Sequence, residues 1–361
     1  MKFGTFYLFS WHESKSQEQV IRDAIELIKI SEELGFDSAW LAEHHFSRYG
    51  LGSAVLTLAG HVAAVTQRIR IGTAVVVLPF YNPITLAEEV ATVDLLSGGR
   101  LELGIGRGYQ WSEINQLNIS LGESRERFDE SLEIMRLAWT EDEFDYHGKY
   151  WTFNGIKPLP KPLQKPHPPI TVATSTPDGF RNAAARGQNI LGGGSTTELE
   201  TIQKNINLYR ATLAEAGYAY DPARIKVQRP VFVADSSEAA RAYFEERYMW
   251  FLQAQRKVTI PSPEIQARMT PDERVNIERF VKHVGMTFDT AFDEIGVFGP
   301  PEECVKRIEA VDNIVGGLEH FICSFAIGGW DQKEVIRSME RFAREVMPHF
   351  QTEAVPAAAA G

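Results

Sequence analysis

Short apolar runs rich in Val, Ile and Phe alternate with amphipathic stretches along almost the whole chain. The runs cover residues 2–9, 36–42, 70–78, 101–106, 169–173, 189–192, 226–234 and 321–327. Between and after them, apolar positions recur at helical spacing over 18–34, 54–65, 83–96, 125–139, 179–186, 198–216, 236–256 and 331–347. A strand followed each time by a helix predicts parallel pairing, because parallel neighbours need a crossover connection. Strands that are apolar throughout suit a sheet covered on both faces. An open doubly wound sheet would show the same alternation; the count of eight favours a (β/α)8 TIM barrel.

Three segments depart from this rhythm. Residues 141–169 carry Trp151, Phe153 and the prolines 158, 160, 162, 166, 168 and 169, which predict an extended connection before the fifth strand. Residues 257–298 form a long insertion with Pro261, Pro263 and Pro271 and a helical stretch near 272–283; an insertion of this length on a barrel reads as a lid. The tail after 350, ending AVPAAAAG, has no core-forming pattern and is expected to be disordered. The expected organisation is one barrel domain over 1–350 with a tail at 351–361.

Composition narrows the function classes. The 361 residues are 44% hydrophobic and carry a net charge of −11 without a basic run, which argues against nucleic acid or an anionic membrane as partner. No apolar run reaches the ~18 residues of a membrane span, and the N-terminus reads as a first strand instead of a signal peptide. A cytoplasmic protein is expected. Cys304 and Cys323 lack metal-ligand spacing and read as buried small hydrophobes.

In a (β/α)8 barrel the chemistry gathers at the C-terminal ends of the strands. After the second strand stands Glu43-His44-His45-Phe46. Adjacent side chains diverge by ~100–180°, so only one histidine can face the barrel mouth, where it could serve as a general base; a structural strand-end histidine is the plainer reading. A metal site at Glu43, His44 and His45 finds no further ligand. The fourth strand ends Gly104-Ile105-Gly106-Arg107-Gly108-Tyr109, where glycines allow a flat ligand near the backbone and Arg107 offers a guanidinium to a phosphate or to a structural ion pair. After the fifth strand, Ser175-Thr176-Pro177 spells a helix start: Thr176 caps, Pro177 takes the first position, and the free N–H groups can hold phosphate. Phe6, Phe46, Tyr81, Tyr109, Trp111 and Trp250 crowd the expected mouth, an apolar rim for a ring system and an apolar substrate, or simply core.

Taken together these segments resemble the bacterial luciferase-like flavin monooxygenases, above all the luciferase catalytic alpha subunit. The likeness runs through MKFGTFYLF, GFDSAWLAEHHF, IGTAVVVLP, SGGRLELGIGRG, FGPPEECVKRI and REVMPHF. It implies an FMNH2-dependent two-component monooxygenase, fed with reduced FMN by a separate NAD(P)H:flavin reductase. Through a flavin C4a-peroxide it would insert one atom of O2 into an apolar molecule such as an aldehyde or ketone. The resemblance makes His44 the catalytic acid/base and His45 its structural neighbour. It sets Arg107 and Arg125 on the FMN phosphate with Ser175 and Thr176, and lays Ala74 and Val75 beneath the flavin as a cis pair. It puts Gly106 where the luciferase alpha subunit has a reactive cysteine, and Trp250 near the ring. Phe6, Phe46, Tyr109 and Trp250 are the expected substrate pocket. A homodimer is expected through helices two and three, where Ala54, Ala59, Gly60, Ala63 and Ala64 permit close approach. Light emission is not implied. A deazaflavin-dependent hydride-transfer enzyme and a non-catalytic partner subunit are the alternatives within the fold, and a metal-dependent hydrolase the alternative outside it.

Overall fold

The computed structural model describes residues 1–267, 269 and 285–351. Each apolar run overlaps a strand: β1 (Lys2–Tyr7), β2 (Ser38–Leu41), β3 (Arg70–Thr73), β4 (Leu101–Gly106), β5 (Ile170–Ala173), β6 (Asn189–Gly193), β7 (Ile225–Val233) and β8 (His320–Ala326). They pair in parallel in chain order, and β8 returns to β1 with His320 opposite Lys2, so the sheet closes into an eight-stranded barrel. The nine residues of β7 and the seven of β8 are all buried, as strands between a filled interior and a helical ring must be.

The helices follow the predicted periodicity. In α1 (Gln17–Glu33), Ser16 caps the first turn by accepting from the Gln19 N–H, and Val20, Ala24, Leu27, Ile28 and Ser31 form the buried stripe. The ring continues with α2 (Val55–Val65), α3 (Pro83–Leu96), α4 (Trp111–Gln116), α5 (Ser124–Thr140), α6 (Pro177–Ala185), α7 (Leu199–Glu215), α8 (Ser237–Thr259), α9 (Pro301–Val315) and α10 (Gln332–Glu345). Cys304 and Cys323 are buried in α9 and β8.

Several boundaries differ from the sequence expectation. The run 70–78 is not one strand: β3 stops at Thr73, the chain passes a cis Ala74–Val75 bond, and Val76–Val77 then pairs with β4. The helix expected at 125–139 is preceded by the separate short α4. Residues 141–169 are not simply extended, for Phe144–His147 and Thr152–Ile156 form an antiparallel hairpin before the proline series. The insertion 257–298 is built at both ends: its first residues complete α8, Pro263–Gln266 is a short helix, and Val297–Gly299 adds a parallel strand to β7. Phe288, Phe292 and Phe298 pack with Phe244 and Tyr248 in a buried aromatic cluster. The helix expected near 272–283 and the tail 354–361 lie outside the described residues.

The N-terminal half of the barrel is plugged by Trp40. Its fully buried indole fills the space left by Gly4 and Gly72 on the flanking strands, where a Cβ would collide with the ring at Gly72 and with Ser38 Oγ at Gly4. Ser38 accepts from Trp40 Nε1 at 2.8 Å and hydrogen-bonds His320 Nε2 at 2.7 Å. Burial lowers the His320 pKa to about 3, so this floor is neutral at that position. Above this floor the barrel opens at the opposite end, where the strands terminate.

Candidate active site

That end holds a cavity of about 300 Å³ reached by the segments that follow the strands. At one wall the chain leaves β2 as Glu43-His44-His45. His44 is nearly buried, and its Nδ1 lies 3.0 Å from Glu113 Oε1 on α4. The same oxygen accepts the His45 backbone N–H at 2.9 Å. His45 turns the other way: its Nε2 lies 2.8 Å from Glu43 Oε1, while Glu43 Oε2 accepts the Val77 N–H at 3.0 Å. The adjacent histidines thus diverge as strand geometry requires, and of the two only His44 lines the cavity. Burial works against a charge on His45, but the hydrogen bond and charge of Glu43 outweigh it and raise the pKa. An Nδ1 committed to Glu113 leaves Nε2 as the His44 nitrogen that could exchange a proton.

The opposite wall is cationic. Arg107 follows β4 and Arg125 starts α5, and both line the cavity. Burial lowers the Arg107 pKa, and the like charge of Arg125 lowers it further against the pull of Asp178 and Asp129. Among the described residues neither guanidinium has an ion pair, whereas Arg186 nearby is neutralised by two bonds to Asp129 at 2.6 and 2.9 Å. Two unneutralised guanidinium groups side by side are stabilised by an anion. They face the start of α6, where Thr176 accepts the Gly179 N–H at 3.2 Å and Pro177 opens the helix. Ser175 also lines this wall, and the Thr174 hydroxyl is buried there without a partner.

These residues fit the phosphate and ring of a flavin mononucleotide. An orphaned hydroxyl, two guanidinium groups without an ion pair among the described residues and a helix N-terminus line one cavity. Between the two walls, Ala74 and Val75 lie beside Gly106, where a Cβ would sit 2.6 Å from Val75 Cγ2, so only glycine leaves this face flat. Among the described residues no group of three metal-ligating side chains forms, and no helix is long and apolar enough to cross a membrane.

Of the residues singled out in the sequence, Phe6, His44, Ala74, Val75, Gly106, Arg107, Tyr109, Arg125, Ser175 and Thr176 meet around the cavity. Phe46 does not. Its φ of 58° swings the chain outward, and the ring is 57% exposed beside His45. Trp250 does not either: its Nε1 donates to Glu13 at 2.9 Å and its ring packs on His12, on the outer side of α8. One residue on, and ~100° around the helix, Phe251 faces the cavity, followed one and two turns later by Gln255 and Thr259. The buried series Phe244, Tyr248, Phe251 marks that face in the sequence. Glu113 carries no such signal, because nothing local links it to a histidine 69 positions away.

The chain is similar to proteins of one family along most of its length. A family model described as luciferase-like monooxygenase matches residues 1–316. The oxygenase component of the flavin-dependent trigonelline monooxygenase of Acinetobacter baylyi is 28% identical, covering 98% of this chain and 97% of that protein. The alkanal monooxygenase alpha chain of the Kryptophanaron alfredi symbiont is 27% identical over 97% of this chain and 99% of that one. The crystal structure of monooxygenase RslO1 from Streptomyces bottropensis superposes with a TM-score of 0.82 at 28% identity, covering 97% of this chain and all of the other. A closed barrel with His44 and Glu113 on one cavity wall and Arg107 and Arg125 on the other, matched along nearly its whole length by such relatives, is that of an enzyme, and the chain belongs to the luciferase-like flavin-dependent monooxygenases.

Proposed function

We propose that this enzyme is the oxygenase of a two-component system, taking reduced FMN from a separate NAD(P)H:flavin reductase and inserting one atom of O2 into a small organic molecule. The observation that carries the reading is the pair of unneutralised guanidinium groups, Arg107 and Arg125, facing the capped start of α6. Bound reduced FMN would supply the activation of O2; everything else falls to the chain. Arg107, Arg125, Thr174, Ser175 and the first turn of α6 would hold the phosphate. Ala74, Val75 and Gly106 would support the ring. Phe6, Leu8, Leu191 and Ile322 line the cavity with apolar surface that excludes water from the reacting atoms. His44, held through Nδ1 by Glu113, would exchange a proton through Nε2.

We read residues 1–350 as one barrel domain acting in the cytoplasm as a homodimer. Ala59 and Ala63 of α2 are buried against the barrel instead of being offered to a partner. Gly60 and Ala64 remain outside, with Leu95 and Leu96 at the end of α3 exposed by 44% and 66%.

The test is anaerobic titration with reduced FMN and reduced riboflavin. Loss of charge-assisted bonds in Arg107→Ala should weaken FMN roughly 10- to 150-fold and leave riboflavin unchanged. Equal affinities of wild type and variant for FMN would refute the phosphate assignment, and tighter binding of a deazaflavin than of FMN would refute the cofactor.

A further inference from the structure

On the His44 side the cavity is not uniformly apolar. His44 packs edge-on against Tyr49 with ring centroids 4.6 Å apart, and Tyr49 in turn meets Phe251 at 5.6 Å. One turn along α8 from Phe251, Gln255 donates its Nε2 to the Tyr49 hydroxyl at 3.4 Å. Its Oε1 is buried and has no hydrogen-bond partner, although the side chain lines the cavity. Thr259, one turn further, also reaches the cavity, but its hydroxyl is already committed to Gln110 Oε1 at 2.6 Å.

The arrangement orients the carboxamide. The Tyr49 and Tyr109 hydroxyls both hydrogen-bond this side chain and the Thr259 hydroxyl is committed to Gln110, so the carbonyl oxygen is the carboxamide atom left without a partner. A buried carbonyl without a partner is costly, and the cost disappears when a ligand brings a donor. An aliphatic chain cannot do this, whereas a hydroxyl, amide N–H or amine can. A site that pairs with a ligand's O–H or N–H also rejects the analogue lacking it far more strongly than an apolar pocket separates methylenes.

The geometry points to Gln255 as the specificity-determining residue for an organic substrate that combines an apolar body with a hydrogen-bond donor, so that a plain alkanal is not the preferred ligand. This rests on the reading of the cavity as the oxygenation site. It differs from the sequence expectation of a wholly apolar substrate, because the rim aromatic expected there, Trp250, lies outside while Phe251 and Gln255 face in.

Ligand-observed NMR with isosteric pairs tests it: 4-hydroxycyclohexanone against 4-methylcyclohexanone, and 4-hydroxybenzaldehyde against 4-methylbenzaldehyde. Affinities are measured on the full chain with and without FMN, so the outcome does not depend on oxygenation activity. The hydroxyl member of at least one pair should bind about 10-fold or more tightly than its methyl partner. Gln255→Met, which keeps length but removes the carbonyl, should abolish that preference. Gln255→Glu, which keeps an acceptor, should retain it, and it guards against mistaking a misfolded Gln255→Met for a positive result. Equal or tighter binding of both methyl members in wild type, no binding of either hydroxyl member, or a preference that survives in folded Gln255→Met overturns the assignment. If the hydroxyl preference holds while reduced FMN fails to bind, the substrate inference stands and the flavin reading falls.

Discussion

Glu113 offers the sharpest test of how the site works, because it touches the proposed chemistry only through His44. Its buried carboxylate accepts from His44 Nδ1 at 3.0 Å and from the His45 N–H at 2.9 Å, both on Oε1. Glu113→Gln keeps an oxygen for both donors and removes only the charge. At 3.0 Å and an effective dielectric of ~20, that charge and an imidazolium would attract by about 5 kcal/mol. Desolvation of the pair reduces the net value to the ~1.5–3 kcal/mol of a charge-assisted hydrogen bond. If His44 carries positive charge in the transition state, turnover should fall roughly 10- to 150-fold at 1.4 kcal/mol per decade. Glu113→Ala should fall at least as far and also lose about 1–3 kcal/mol of stability, since two buried donors lose their acceptor. The assay is single-turnover product yield from a carbonyl substrate, with reduced-FMN affinity and thermal stability measured alongside. Flavin affinity should stay within about 2-fold, for the phosphate is held on the other wall. The decisive control is His44→Ala combined with Glu113→Gln. If Glu113 acts through His44, the double variant is no slower than His44→Ala, a coupling that distant sites do not show. Wild-type turnover in Glu113→Gln, or additive losses in the double variant, would refute the reasoning.

Three further outcomes are expected. Gly106→Ala puts a Cβ 2.6 Å from the stiff, β-branched Val75 side chain and should cost about 1–3 kcal/mol, read as a lower Tm or weaker flavin binding; an unchanged Tm and affinity would show that Val75 yields freely. His45 has a raised pKa in the folded state, so its pairing with Glu43 stabilises fully below the ordinary histidine value of ~6.5 and is lost as pH rises through the raised value. The stability difference between wild type and His45→Gln should therefore shrink with rising pH in denaturant titrations, and a difference that grows would overturn the pairing. Light scattering should report about twice the 40.6 kDa chain mass, with a monomer after Gly60→Trp or Leu96→Glu; a wild-type monomer removes the dimer.

Much of this architecture is legible along the chain, because its causes are local. Parallel strands sheathed on both faces must be apolar throughout, and helices that cover them must carry a 3.6-residue stripe. The eight βα units are therefore written in residue order, as are the Thr176 cap and the glycines that bring the backbone close at the end of β4. His44 could be chosen over His45 only as far as the divergence of neighbours and the family likeness allow. What the tertiary structure alone decided are relations between distant positions: closure of β8 on β1, Glu113 reaching across to His44, and Arg107 and Arg125 lining one cavity without an ion pair among the described residues. It also decided which aromatics face inward. Phe46 leaves the mouth because one positive φ turns the chain, and Trp250 gives way to Phe251 because neighbours on a helix point ~100° apart. Periodicity records which side of an element is apolar, but the phase of that side against the rest of the barrel is set only when all eight units close on one another and compete for the same interior.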